Sequence, residues 1–244
     1  MNSSINIMRI LAIIPARKGS KGINKKNHLK LNKKNLVEIS IENSEKSRLI
    51  DRLILSSDDK DLINKIKIKK FKKVEIPFLR PKKLSGDKSS TYSALRHCYN
   101  WLKKNEKWSA DIIVLLSPTT PFRTPKIIDN VISLLIKNKS ADSAMTITDV
   151  DYPPHWMVFK KGKKLYSLIK NGNKFTRRQD TPKVFKPAGL VYALRAKLLK
   201  NLNGILPSKN TLGYYVSSER SLNIDKYDHY LMSKMKMKKF IKKS

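Results

Sequence analysis

Between positions 15 and 27 the chain reads Pro15-Ala16-Arg17-Lys18-Gly19-Ser20-Lys21-Gly22-Ile23-Asn24-Lys25-Lys26-Asn27, with five basic side chains, two glycines and one serine. Those residue types at that spacing suit a nucleoside triphosphate. Lacking a Cβ, Gly19 and Gly22 would let backbone N–H groups come close to phosphate oxygens. Arg17, Lys21 and Lys26 are the cations placed to neutralise the charge that builds up when a phosphorus is attacked. The run contains neither Gly-x-x-x-x-Gly-Lys-Ser/Thr nor Gly-x-Gly-x-x-Gly, which excludes the Walker and dinucleotide types of loop. Taken alone, it also reads as a basic surface loop behind a buried strand.

A loop of this kind needs rigid elements around it, and the flanking sequence supplies them. Residues 10–14 form an apolar run of strand length that leads straight into the loop. Residues 36–47 are patterned as a helix, and Arg52-Leu53-Ile54-Leu55-Ser56-Ser57 as a buried strand. Asp59 is placed to cap the next helix, whose lysines face solvent. A third apolar run spans 74–79, a helix 89–105 and a strand 111–116. A helix over 127–136, opened by Thr124-Pro125, precedes a strand over 144–148. Strands alternating with helices of about ten residues or more predict an α/β fold with a Rossmann-like, mainly parallel sheet flanked by helices. Ligands in such sheets lie beyond the carboxyl ends of the strands. From 151 to 187 the alternation stops, and Tyr152-Pro153-Pro154-His155-Trp156, Gly162 and Gly172 read as an inserted hairpin arm within a single domain spanning 1–244.

At 244 residues and 40% hydrophobic content the chain is long enough for one sizeable core. No apolar run approaches the roughly 18 residues of a membrane span. The single cysteine, Cys98, cannot form an internal disulfide, and with no secretory leader legible in the first residues a cytoplasmic protein with no membrane partner is expected. A formal charge of +34 and a pI near 10.2 raise nucleic acid as a rival partner. Against that, the lysines are spread over nearly every segment, and no aromatic-basic RNA motif, zinc spacing or basic zipper is present. Nucleic acid is therefore not expected as a specific partner, although general attraction to polyanions is.

The loops that follow the strands carry the remaining polar signals. Arg80-Pro81-x-x-Leu84-x-x-Asp87-x-Ser89-Ser90 follows the third apolar run; Arg80 is either a ligand contact or a surface residue, and Asp87 or Ser89 either a contact or a helix cap. After the 111–116 strand, Ser117-Pro118-Thr119-Thr120-Pro121-Phe122-Arg123 is a loop stiffened by two prolines. Farther on stand Arg177-Arg178-Gln179-Asp180-Thr181-Pro182, Lys186-Pro187-Ala188-Gly189-Leu190-Val191-Tyr192 and Ser221-Leu222-Asn223-Ile224-Asp225-Lys226-Tyr227-Asp228. Alternation in an extended piece would put Asn223 and Asp225 on one face. Alternatively Asp225 caps the last helix. His155 reads most simply as a solvated loop residue. Trp156 reads as arm core, dimer interface or sugar platform.

Taken in order, these segments resemble the acylneuraminate cytidylyltransferases, also called CMP-sialic acid synthetases. The opening loop resembles their nucleotide signature, and the later segments their Arg-Pro-x-x-Leu-x-x-Asp, Leu-x-Pro-Thr-Ser-Pro-Leu-Arg, Arg-Gln-x-x-Pro, Pro-Asn-Gly-x-x-Tyr and Ile-Asp-Ile-Asp elements. The resemblance implies transfer of CMP from CTP to an acidic nine-carbon 2-keto sugar, with Mg²⁺ as cofactor. It implies catalysis by Arg17, Lys21 and Lys26 and nucleotide contacts from Arg17, Ser20, Asn27, Arg80, Ser90 and Thr119. Sugar contacts are implied for Arg178, Gln179 and Tyr192, with Arg178 as the bidentate clamp for the carboxylate. Asp225 and Asn223 are the implied metal ligands. The arm is implied to pair two subunits into a homodimer, each lending residues to its neighbour's site. Three positions depart from the family pattern: Ser117 where many members have Gln, Ala188 where Asn is usual, and Asn223 in place of an Asp. The first two point to a sugar other than the common one and the third to weaker metal binding. A KDO-type acceptor, or a polyanion-binding protein on a degenerate transferase scaffold, are the competing expectations.

Overall fold

The computed structural model describes residues 8–20, 22–87, 89–200 and 209–241. Its strands are β1 (Ile10–Ala16), β2 (Lys30–Leu31), β3 (Lys34–Asn35), β4 (Arg52–Ser57), β5 (Val74–Glu75), β6 (Ile112–Leu115), β7 (Ser143–Asp149), β8 (Val158–Lys161), β9 (Lys164–Ser167), β10 (Phe185–Arg195) and β11 (Thr211–Tyr215). The helices are α1 (Leu36–Glu45), α2 (Lys60–Ile68), α3 (Thr91–Asn105), α4 (Pro125–Lys137) and α5 (Tyr227–Ile241).

Seven strands build one sheet in the order β11-β7-β10-β6-β1-β4-β5, and only β10 runs against its neighbours. From β1 the chain steps outward through β4 to β5, then returns to lay β6 on the other side of β1. The order reverses between β1 and β6, and that is where an open α/β sheet leaves a crevice at its carboxyl edge.

Both faces of β1 are covered, which is why it reads as a continuous apolar run. Leu11 and Ile13 pack with Tyr92, Leu95, Cys98 and Leu102 of α3. Ala12 and Ile14 face the opposite way and pack with Val37 and Ile41 of α1, Leu62 and Ile66 of α2, and Ile128 and Val131 of α4. Each of these helices starts on a polar cap. Asn35 and Glu38 form a reciprocal box on α1, while Asp59, Ser90 and Thr124 cap α2, α3 and α4. Such caps are worth about 1 kcal/mol each and fix where the loops on the carboxyl edge end.

The third apolar run is mostly loop. Only Val74 and Glu75 pair with β4, because Pro77 follows two residues after Glu75. The arm is also shorter than its sequence pattern, since residues from Phe185 onward already belong to β10 and pair with β7. Within it β8 and β9 form an antiparallel hairpin turned by Gly162 at φ 60°. His155 is not a solvated loop residue. Its ring meets Phe175 edge-on at 4.8 Å, and Trp156 Nε1 donates to the Phe175 carbonyl at 2.7 Å, so both side chains knit the base of the arm.

Candidate active site

A cleft of about 390 Å³ opens at the carboxyl ends of β1 and β6. Into it project residues from five separated stretches of sequence: Arg17, Ser20, Lys26 and Asn27; Arg80, Ser89 and Ser90; Ser117, Thr119 and Thr120; Gly189 and Tyr192; Asn223 and Asp225.

The cationic wall comes first. Arg17 leaves the end of β1, and its Nη1 donates to the Gly86 carbonyl and to Asp87 Oδ1, both at 3.0 Å. Asn27 spans the base of the loop, donating from Nδ2 to the Arg17 carbonyl at 2.8 Å. The outer side of the loop is tied to the end of β4 by the Lys18 N–H, which donates to Asp58 Oδ1 at 2.9 Å. His28 Nε2 meets Asp59 Oδ2 at 2.7 Å. Burial works to raise the Asp59 pKa, but the bonds from His28 and the Leu62 N–H outweigh it and hold the carboxyl below its ordinary value. Arg80 is only 4% exposed, reaches Asp58 at 3.5 Å, and leaves Nε with no hydrogen-bond partner among the described residues. Burial lowers its pKa, and Arg17 nearby adds to that. Arg80 is thus a buried guanidinium on the cationic wall of the cleft.

Opposite stands a wall of hydroxyls. Ser117 Oγ and Thr119 Oγ1 are 2.9 Å apart, and Thr120 Oγ1 donates to the Gly189 carbonyl at 3.3 Å. Behind them Arg123 is buried, its Nη1 donating to the carbonyls of Ser117 at 3.2 Å and Leu190 at 2.6 Å. Burial pushes the Arg123 pKa down to about 9, so it is still a cation at neutral pH, and it braces the proline loop against β10. β10 itself is irregular between Pro187 and Tyr192, with Gly189 at φ 77°. That irregularity turns Tyr192 into the cleft, where burial raises its pKa.

The floor is the 223–225 segment, a tight turn rather than the expected extended piece. The Asp225 N–H donates to the Asn223 carbonyl at 3.1 Å, and the Ile224 N–H to the Thr119 carbonyl at 2.9 Å. Asn223 and Asp225 therefore meet by turning, with Asn223 Nδ2 donating to Asp225 Oδ2 at 2.7 Å. Lys26 Nζ lies 2.9 Å from Asp225 Oδ1, so the carboxylate serves the cleft instead of capping α5. No group of three or more His, Cys, Asp or Glu among the described residues could hold a metal by itself. One carboxylate completed by substrate phosphates is nevertheless a donor set Mg²⁺ accepts, so the residues fit an ion that arrives with a triphosphate.

Of the residues singled out in the sequence, Arg17, Ser20, Lys26, Asn27, Arg80, Ser90, Thr119, Tyr192, Asn223 and Asp225 all line this one cleft. Lys21 lies outside the described residues. Arg178 and Gln179 do not line the cleft of their own chain; they sit on a short 3₁₀ turn of the arm, where Arg178 Nη2 donates to the Val150 carbonyl at 3.0 Å. Gly22 has a different task from the one its loop suggests: a Cβ there would stand 2.1 Å from the Asp225 carbonyl oxygen, so it lets two backbones touch. Ala188 is buried in the core and does not line the cleft, so its difference from the family pattern says nothing about a sugar. The sequence reading missed Arg123 and Gly189 as site-forming residues. Gly189, two residues after Pro187 in a strand-like run, was the available signal.

A family model described as cytidylyltransferase matches residues 11–227. A pseudaminic acid cytidylyltransferase of Campylobacter jejuni is 31% identical over 185 residues, which are 76% of this chain and 78% of that protein. An N-acylneuraminate cytidylyltransferase of Streptococcus agalactiae is 25% identical over 225 residues, 92% of this chain and 52% of that protein. Among solved structures, a CMP:2-keto-3-deoxy-manno-octonic acid synthetase complexed with CTP has the same fold, with a TM-score of 0.68 at 15% identity over 95% of this chain and 99% of that one.

Proposed function

The chain belongs to the cytidylyltransferase family, and from that premise we propose that it activates a nonulosonic acid, a sialic-acid-like 2-keto sugar acid, by joining it to CMP at the expense of CTP. The observation that carries this reading is the convergence of Arg17, Lys26 and Arg80 with Tyr192 and Asp225 on one cleft at the point where the strand order reverses. The likeness to the Campylobacter jejuni enzyme makes a pseudaminic-type acid the first acceptor to test.

The sugar's anomeric hydroxyl attacks the α-phosphorus of CTP in line, the bond to the bridging oxygen breaks, and pyrophosphate leaves. The attack brings an acidic sugar up to a crowded anion, so the protein's work is positioning and charge neutralisation. Arg17 and Lys26 face the phosphates, and Lys21, which lies outside the described residues, is the third cation the sequence offers for them. Arg80, Ser20, Asn27, Ser90 and Thr119 hold the nucleotide. Asp225 would hold Mg²⁺, which when bound supplies Lewis-acid charge neutralisation at the phosphates. Tyr192 orients the sugar.

The cations of this cleft stand on its phosphate side, and a sugar carboxylate needs one of its own. Arg178 and Gln179 supply that contact from the arm of a second copy. The arm exposes Val158, Phe159, Leu165 and Tyr166, an apolar surface that pairing into a homodimer would cover. No helix among the described residues is long and apolar enough to cross a membrane, and the protein works in the cytoplasm, where CTP is available.

The test is pyrophosphate release with CTP and Mg²⁺ over a panel of pseudaminic, legionaminic, N-acetylneuraminic and KDO-type acids. Turnover with a nonulosonic acid that disappears in Arg17→Ala is the expected result. No turnover with any acid, together with tight salt-sensitive RNA binding, would overturn the reading.

A further inference from the structure

Both carboxylate oxygens of Asp225 already carry a donor from the chain itself. Lys26 Nζ is 2.9 Å from Oδ1, and Asn223 Nδ2 is 2.7 Å from Oδ2. A carboxylate only accepts, so it is the NH₂ end of Asn223 that faces it. The two residues whose spacing suggests a pair of metal ligands thus hold each other. For a bare dication to bind here it must displace an ammonium, disturb the amide contact and approach a chain of formal charge +34 past Arg17 and Arg80. A nucleoside triphosphate removes each obstacle, because its phosphates attract Lys26 and cancel the charge of the ion they carry.

We propose that Lys26 and Asn223 act on Asp225 as internal stand-ins for a divalent ion, so that the chain takes up metal only as its complex with the nucleotide. The inference rests on the reading of the cleft as a triphosphate site. Asn223 is then a positioning residue that holds Asp225, not the second ligand. The amide at 223 is what makes the arrangement work. A second carboxylate beside Asp225 would repel it and draw in a cation before any nucleotide arrived. With the amide, the carboxylate is charge-matched from within the chain.

The test is Mn²⁺ binding to the full-length chain, read from the electron paramagnetic resonance signal of free Mn²⁺, without CTP and then with it. Without CTP, Lys26→Met and Asn223→Ala are expected to bind Mn²⁺ about tenfold more tightly than the wild type, Asn223→Asp more tightly still, and Asp225→Asn not at all. Adding CTP should bring the wild type up to the level of the variants, over and above the loss of free Mn²⁺ that the same CTP causes without protein. Weaker binding by Asn223→Ala than by the wild type would identify Asn223 as a ligand and overturn the proposal. So would wild-type binding without CTP as tight as that of Lys26→Met. Asn223→Ala, a change at an exposed position, carries the test should Lys26→Met not fold. CTP binding in the presence of Mg²⁺, followed by calorimetry, is a separate readout: its absence would sink the triphosphate reading and leave the CTP-free comparison of variants standing.

Discussion

Gly22 and the main chain of Asp225 touch: a Cβ on the glycine would lie 2.1 Å from that carbonyl oxygen. Backbone meets backbone, so no rotation of a side chain can relieve the clash. Gly22→Ala must push the 223–225 turn away from the phosphate loop, parting Lys26 from Asp225. The expected cost is about 1–3 kcal/mol in stability by urea unfolding and about a hundredfold or more in kcat/KM for pyrophosphate release. Gly19→Ala, with nothing within 4 Å of the new methyl group, should be milder on both counts. A harsher effect at 19 than at 22 would mean that closeness to the phosphates, not contact between the two segments, decides these positions.

Arg80 illustrates a site residue that costs the free protein something. It is buried, its Nε is unsatisfied among the described residues, and its one acidic neighbour, Asp58, is 3.5 Å away. Replacing such a cation with an apolar side chain of similar length is often neutral or stabilising. Arg80→Met is therefore expected to leave the thermal midpoint unchanged or higher. The loss of a charge-assisted bond, about 1.5–3 kcal/mol, should raise the KM for CTP by about ten- to a hundredfold. A fall in the midpoint with KM unchanged would make Arg80 a structural residue.

Much of this site could be read from the chain because its parts are local. The phosphate loop, the proline-stiffened loop and the caps Asp59 and Thr124 each declare themselves within a few residues, and the strand and helix periods say that all the loops share one edge. What could not be read depends on partners distant in sequence or on a broken period. Gly22 answers to a carbonyl from the far end of the chain. The three acceptors of Arg123 Nη1 lie on the proline loop and on β10, 67 residues farther along the chain at Leu190. Ala188 sits in β10, whose register shifts between Pro187 and Tyr192, and a family pattern does not say which way a side chain beside such a shift faces. The 223–225 segment turns where alternation predicted extension.

His97 gives stability a pH dependence whose sign is fixed. Burial, with Arg80 and Lys83 adding to it, holds its pKa below the ordinary 6.5. The folded chain therefore favours the neutral ring, and the unfolded chain binds the proton more readily. This contribution is fully present above the ordinary value and is lost as pH falls through it toward the folded value. Unfolding free energy should decline as pH falls below the ordinary 6.5, and His97→Gln should flatten the decline. Arg80→Met, by removing one of the opposing charges, should reduce it as well. An unchanged slope in His97→Gln would place the titration on another group.

The arm raises a question that mixing inactive variants can answer. Arg178 is absent from the cleft of its own chain, so if it contributes to catalysis it does so in a second copy. Arg17→Ala and Arg178→Ala should each abolish turnover alone. When the two are unfolded and refolded together, a mixed dimer has one site with both defects and one with neither. With random pairing about half of the dimers are mixed, so about a quarter of wild-type activity should return. If Arg178 instead worked within its own chain, every site in the mixture would carry one defect and nothing would return. A mixture as dead as its components, with dimers verified by light scattering, would leave the sugar carboxylate needing another cation.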